Sequence, residues 1–218
     1  MTAGTTHHRV PLTREHIVEA ALAIVDADGA ESLTMRKLGQ RLGVDPMAVY
    51  HHLPNKAAVL DGIIEHLWDG VRLGPATPGE SWQAVLFEVF TAFRVRLLQH
   101  PRAVAIIGTR PSVTPAMFRL VEAILQRLEV AGLTGSEAMQ LIDCLSGFTI
   151  GKVLAETSDV SGGHAEHVGA ALASLTPQTH PALLRALAGG YGFAPEEGFE
   201  RGLRALIDGW PSSDSTGA

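Results

Sequence analysis

The sequence holds a single cysteine, Cys144, in 218 residues. That excludes an intrachain disulfide framework and any cysteine-based zinc cluster. Charge is sparse at 18% of residues, and 17 Lys and Arg stand against 23 Asp and Glu, a formal net charge of −6. Such a balance argues against a protein that coats nucleic acid by bulk charge. No apolar run approaches the roughly 18–20 residues that span a bilayer. The first apolar patch, residues 20–25, is short and flanked by Glu19 and Asp26, which makes a poor signal peptide. The expectation is a soluble, cytoplasmic chain with no membrane partner. Gly-x-Ser-x-Gly, phosphate-loop, dinucleotide and His-Glu-x-x-His signatures are missing too, so nothing points to an enzyme.

Apolar residues, by contrast, make up 46% of the chain, enough for a sizeable core. The charge is unevenly spread. Residues 1–60 carry six basic and six acidic side chains, so the whole −6 falls in residues 61–218. Within residues 34–56, Arg36, Lys37, Arg41 and Lys56 face only Asp45, a local net of +3. Local charge, not the total, decides whether a surface can approach phosphates.

Periodicity is helical almost everywhere, and the fold class it predicts is all-α. Thr13 caps a helix with Ile17, Ala21, Ile24 and Val25 inward, ending at Gly29. Thr34 caps a shorter one, with Leu38 and Leu42 inward, stopped by Gly43. Asp45-Pro46 starts the next with a side-chain cap and a residue pre-set for the first turn. Pro54 ends it. Asn55 opens a longer helix carrying Val59, Ile63, Ile64 and Leu67. Residues 74–79 hold two prolines and two glycines and cannot continue a helix, so they mark a boundary. Two domains are expected: residues 1–73, ordered from about residue 12, and residues 80–210, with a disordered tail at 211–218. In the second, helices are predicted from Ser81, from Thr114-Pro115, over residues 136–158, around 165–175 and 181–188, and from Pro195. Residues 103–107 form a short apolar piece, and residues 159–163 a flexible loop.

Residues 34–52 form a unit of short helix, glycine turn and short helix. Leu38, Leu42, Val44 and Val49 supply its seam, leaving Met47, Ala48, Tyr50, His51 and His52 outward. A helix-turn-helix lays its second helix in the major groove. Met47 and Ala48 suit apolar contact with thymine methyls, while Arg36, Tyr50, His52 and Lys56 reach phosphates or base edges. The same pattern also fits an ordinary αα-hairpin with a solvated face.

The stretch LTMRKLGQRLGVDPMAVYHHLPNKAAVLDGI, residues 33–63, resembles the DNA-binding domain of the TetR family of bacterial transcriptional repressors. Leu-Thr-x-Arg-Lys-Leu, the Leu-Gly-Val turn, and Val-Tyr-x-His followed by Asn-Lys carry the likeness. Further on, Gly79-Glu80-Ser81-Trp82-Gln83, Gly108-Thr109-Arg110-Pro111, Phe148-Thr149-Ile150-Gly151 and Phe199-Glu200-Arg201-Gly202-Leu203 resemble the ligand domain of the tetracycline-repressor branch. The resemblance implies a homodimer on a palindromic operator, released when a small molecule binds the C-terminal domain. It implies DNA contacts at Met35, Arg36, Pro46, Met47, Ala48, Tyr50, His52 and Lys56. Pro46, Met47 and Ala48 depart from the polar residues of that branch, so its operator sequence does not carry over.

Phe93, Ile106, Thr109, Arg110 and Pro111 match positions that line the branch's ligand site. Its metal-binding histidine is Ile106 here. Its later acidic residue falls at Ala155, with Glu156 one residue on. The expectation is therefore an apolar pocket without a metal or other cofactor, in which Thr109 and Arg110, or Glu156, could anchor a ligand. Phe93 on a helix stripe and Arg110 at a helix boundary also fit plain structural roles. His164 and His167 lack a third placed ligand, His7-His8 falls in the polar start, and Cys144 sits among apolar neighbours as an unreactive thiol. The competing class is an all-α small-molecule carrier or adaptor that does not bind DNA.

Overall fold

The computed structural model of the chain describes residues 11–110, 113–157, 171–189 and 194–211. Helix starts follow the local chemistry. Thr13, Thr34, Asp45, Asn55 and Ser81 each accept a backbone N–H from the first turn that follows. They open α1 (Arg14–Asp28), α2 (Met35–Leu42), α3 (Pro46–His52), α4 (Lys56–Asp69) and α5 (Trp82–Gln99). The short apolar piece becomes a 3-10 turn, Pro101–Ala103, running into α6 (Val104–Thr109). Thr114 caps α7 (Pro115–Val130), and α8 (Gly135–Thr157), α9 (Pro181–Ala188) and α10 (Pro195–Asp208) complete the order. Proline stands in the first turn of α3, α7, α9 and α10, where its missing N–H has no intrahelical partner to lose.

Among the described residues there is no strand. The loop expected at 159–163 lies outside the described residues, as do His7, His8, His164 and His167. Of the helix expected around 165–175, residues 171–173 are described and helical. Of the expected tail only Pro211 is described. Cys144 is half-buried rather than enclosed.

α1 buries Ile17, Ala21, Ile24 and Val25 against α4, whose Val59, Ile63, Ile64 and Leu67 are fully buried. Each such side chain contributes about 1.5–3 kcal/mol relative to leaving it in water. Packing of this order holds α4 in place, since an isolated helix of its length is marginal.

The segment after α4 is irregular as expected, yet it is not a free tether. The Gly74 N–H donates to Glu88 Oε1 at 2.8 Å, and the Gly74 carbonyl accepts from Arg127 at 3.2 Å. Arg127 also pairs with Glu80. α4 crosses between the two halves and packs on α7. The Trp68 ring stacks on Phe93 of α5 with centroids 4.3 Å apart and planes 14° off parallel.

α8 is the central helix of the larger half, packed against α5, α6 and α10. Arg94 of α5, nearly buried, donates to both Glu156 carboxylate oxygens at 3.0 and 2.8 Å, and its guanidinium lies 5.1 Å from the Phe199 ring centre. By length and composition α8 is apolar enough to cross a membrane, against the expectation that no such run exists. The difference arises because Gly, Ser and Thr interleave its apolar residues without adding charge. A core helix packed on three neighbours meets the same test.

Candidate nucleic-acid interface and internal cavity

The α2–α3 turn is closed by hydrogen bonds around Gly43, whose φ of 67° is left-handed. The Gly43 N–H donates to the Gln40 carbonyl at 3.3 Å and the Val44 N–H to the Gly39 carbonyl at 3.0 Å. Asp45 Oδ1 then accepts the Met47 N–H at 2.8 Å and starts α3 at once. The helices touch closely: a Cβ on Gly39 would lie 3.0 Å from the Val44 carbonyl oxygen and 3.2 Å from Pro46 Cα. Nothing in the spacing of the sequence singled out Gly39. Leu38 and Val49 are fully buried in the seam, with Leu42 and Val44 partly so.

The opposite face of α3 is open. Met47 is 62% exposed and Tyr50 40%, His51 and His52 are exposed, and Pro46 and Ala48 are half-exposed. α3 carries no Arg, Lys, Asn or Gln. On α2, Arg36 is exposed and Met35 half-buried, while Lys37 is tied to Asp28 at 2.7 Å. Lys56 is half-buried, its Nζ donating to the Ala30 carbonyl at 3.2 Å. An ammonium has three N–H donors, so that bond leaves others for a phosphate. These side chains give a basic rim around an apolar tip. Asp28 itself is held below the usual carboxylate range, first by its hydrogen bond from Lys37 and then by that residue's charge.

The larger half contains a cavity of about 460 Å³ between α4, α5, α7 and α8. Trp68, Phe90, Phe93 and Ile124 form its buried floor. Val113, Met139, Asp143 and Gly147, all exposed, form its rim. Its size and apolar wall suit a small molecule.

Of the residues matched to a ligand site, Phe93 stands on the cavity wall. Ile106 is buried in the core but does not line the cavity. Thr109 is exposed and donates its hydroxyl to the Ala105 carbonyl at 2.6 Å, so its side chain is spent on its own helix. Arg110 pairs with Asp61 of α4 at 2.7 Å, and Pro111 lies outside the described residues. Glu156 is engaged by Arg94. Sequence spacing did not reveal Trp68, Met117, Asp143 or Ser146 on the wall, although Trp68 continues the apolar stripe of α4.

The donor set does not fit a metal like that of the tetracycline branch. A buried isoleucine and an alanine stand at two of the matching positions, and Glu156 is held by a guanidinium. Among the described residues no three His, Cys, Asp or Glu side chains cluster as ligands.

A compact helix pair with an open second helix, carried on a helical domain with an internal apolar cavity, defines a helix-turn-helix regulator with a ligand domain. The model for "Bacterial regulatory proteins, tetR family" matches residues 17–63, and that for "Tetracyclin repressor-like, C-terminal domain" matches residues 74–212. The chain is 33% identical over 211 residues to an HTH-type transcriptional regulator of Saccharopolyspora erythraea, covering 91% of this chain and 84% of the relative. It is 34% identical over 202 residues to the tetracycline repressor protein class C of Escherichia coli, covering 91% and 90%. Among solved structures, the TetR family protein ActR of Streptomyces coelicolor in complex with actinorhodin superposes with a TM-score of 0.80, at 28% identity over 92% of this chain and 96% of that one. A TetR variant of Acinetobacter baumannii in complex with minocycline gives 0.69, at 25% identity over 93% and 100%. The chain belongs to the TetR family. It is a ligand-responsive transcriptional regulator that binds operator DNA as a dimer, and not an enzyme.

Proposed function

We propose that the protein represses transcription from a palindromic operator and is released by a small, largely apolar effector that binds the α4–α5–α7–α8 cavity without a metal. The observation that carries this is Trp68. It belongs to α4, the helix that follows the reading head, yet it lines the cavity and stacks on Phe93. An effector that prefers one position of Trp68 thereby biases the position of α4 and of the helix pair ahead of it. Residues 1–73 serve as the DNA-binding unit and 80–210 as the effector and dimerisation unit.

The dimer face is assigned to α8 and α10. Gly147, Gly151 and Ala155 repeat every fourth residue on the exposed side of α8, and Leu154 beside them is 37% exposed. Small residues at that spacing let a second helix approach closely. Two heads set roughly 34–36 Å apart then read successive major grooves. Met35, Arg36, Pro46, Met47, Ala48, Tyr50, His52 and Lys56 supply the contacts. A regulator of this kind works where the DNA is, in the bacterial cytoplasm.

The test is a fluorescence anisotropy titration against DNA from the gene's own neighbourhood. Tyr50→Ala and Lys56→Ala should each raise the Kd about tenfold, at about 1–3 kcal/mol per lost contact. Lys56→Ala should also lower the salt slope by about one, as expected for a phosphate contact. Both should sediment as dimers. An unaltered shift in the double variant removes the reading head as the DNA surface. A wild-type dimer that binds none of this DNA supports the carrier or adaptor instead.

A further inference from the structure

Asp143 is the single ionisable side chain among the described residues that line the cavity. It stands on the exposed rim, on α8, above a floor of Trp68, Phe90 and Phe93. No hydrogen bond or ion pair joins it to another described residue. Nearby guanidinium groups are committed elsewhere: Arg94 to Glu156, Arg110 to Asp61 and Arg119 to Asp69.

The other polar wall groups point the same way. Ser146 donates its hydroxyl hydrogen to the Ile142 carbonyl at 2.7 Å, so its oxygen faces a ligand as an acceptor. The Trp68 indole N–H is packed away from any accessible space. The wall therefore offers acceptors and one negative charge, and no free side-chain donor.

We infer that the effector is a cationic amphiphile, an apolar ring-sized body ending in a protonated amine that pairs with Asp143. This rests on the cavity being the effector site. An anionic ligand would bring a second negative charge beside Asp143 over an apolar floor, where repulsion is poorly screened. A neutral ligand would cover the carboxylate without replacing its water. A cation with its ring on Phe93 and Trp68 and its ammonium at the rim meets neither cost. Ser146 Oγ supplies a second acceptor for the ammonium.

Three probes on one ring separate the two ideas: 1-naphthylmethylamine, neutral 1-naphthylmethanol and anionic 1-naphthoate, titrated calorimetrically into the full-length dimer at neutral pH. The amine should bind at least about tenfold more tightly than the acid, with the alcohol between them, as a part-exposed ion pair allows. In Asp143→Asn the amine-to-acid ratio should fall below about threefold, and Asp143→Glu should restore the order. Equal or tighter binding of the acid overturns the inference while leaving the cavity as the effector site, and so does an order that survives in Asp143→Asn. Failure of all three probes to bind overturns the cavity assignment and the inference with it.

Discussion

Arg110, at the C-terminal end of α6, donates from Nη2 to Asp61 Oδ1 of α4 at 2.7 Å. The pair joins the effector half of the molecule to the helix that follows the reading head. The side chains are 31% and 54% exposed, so solvent screens much of the attraction. A double-mutant cycle of Asp61→Ala and Arg110→Ala in urea unfolding should give a coupling of about 0.5–1 kcal/mol. Zero coupling would mean that packing alone, through Trp68 and Phe93, holds the two halves in register.

The apolar tip of α3 makes a specific demand on the operator. In the major groove only thymine presents an apolar group, its C5 methyl, so Met47 and Ala48 should select thymine. Half-sites enriched from a random duplex library should carry thymine opposite α3. Replacing that thymine by deoxyuridine, which keeps the pairing and removes the methyl, should weaken binding about fourfold, the value of one buried methyl group. Met47→Gln should shift the preference toward adenine, because a glutamine amide pairs with N6 and N7 of that base. A half-site without a preferred thymine would refute apolar readout.

Gly39 is fixed by its neighbours rather than by its own backbone angles. The atoms a Cβ would meet belong to the backbone of Val44 and Pro46, which cannot rotate away as a side chain can. Gly39→Ala should therefore push α3 off α2 and cost about 1–3 kcal/mol, with operator affinity falling further than stability. Chemical denaturation and anisotropy on the same variant would separate the two losses. A variant with native stability and native Kd would show that the helix pair adjusts freely.

His66 on α4 is half-buried, and burial, then the nearby Arg96 guanidinium, holds its imidazole below the usual histidine range. Between the folded and unfolded values the unfolded chain binds the extra proton, so stability rises with pH across that window. Acidification through the ordinary value of about 6.5 should cost stability. The melting temperature should fall less in His66→Gln than in the wild type on going from about pH 7.5 to about pH 5.5. Parallel curves would place the acid sensitivity elsewhere.

Local chemistry was legible without coordinates. Thr34, Asp45 and Asn55 cap the helices expected of them, and Gly43 ends α2. These signals act over three or four residues, so no tertiary contact is needed to read them. The open face of α3 followed too, because burying Val49 on a single turn-length helix turns Met47 and Tyr50 outward. Charge taken as a total was misleading, since the −6 lies outside the helix pair.

The sequence by itself determined an all-α chain, the position of the helix pair and the family to which its motifs belong. Tertiary structure decided what the effector half offers a ligand. A cavity is the space that α4, α5, α7 and α8 leave unfilled, and no local pattern encodes where distant helices fail to meet. Packing likewise spends Thr109 on its own helix, Arg110 on Asp61 and Glu156 on Arg94, while it leaves Asp143 open at the rim. Which polar group is free to bind depends on which neighbours the fold brings to it, and that is a property of long-range contacts.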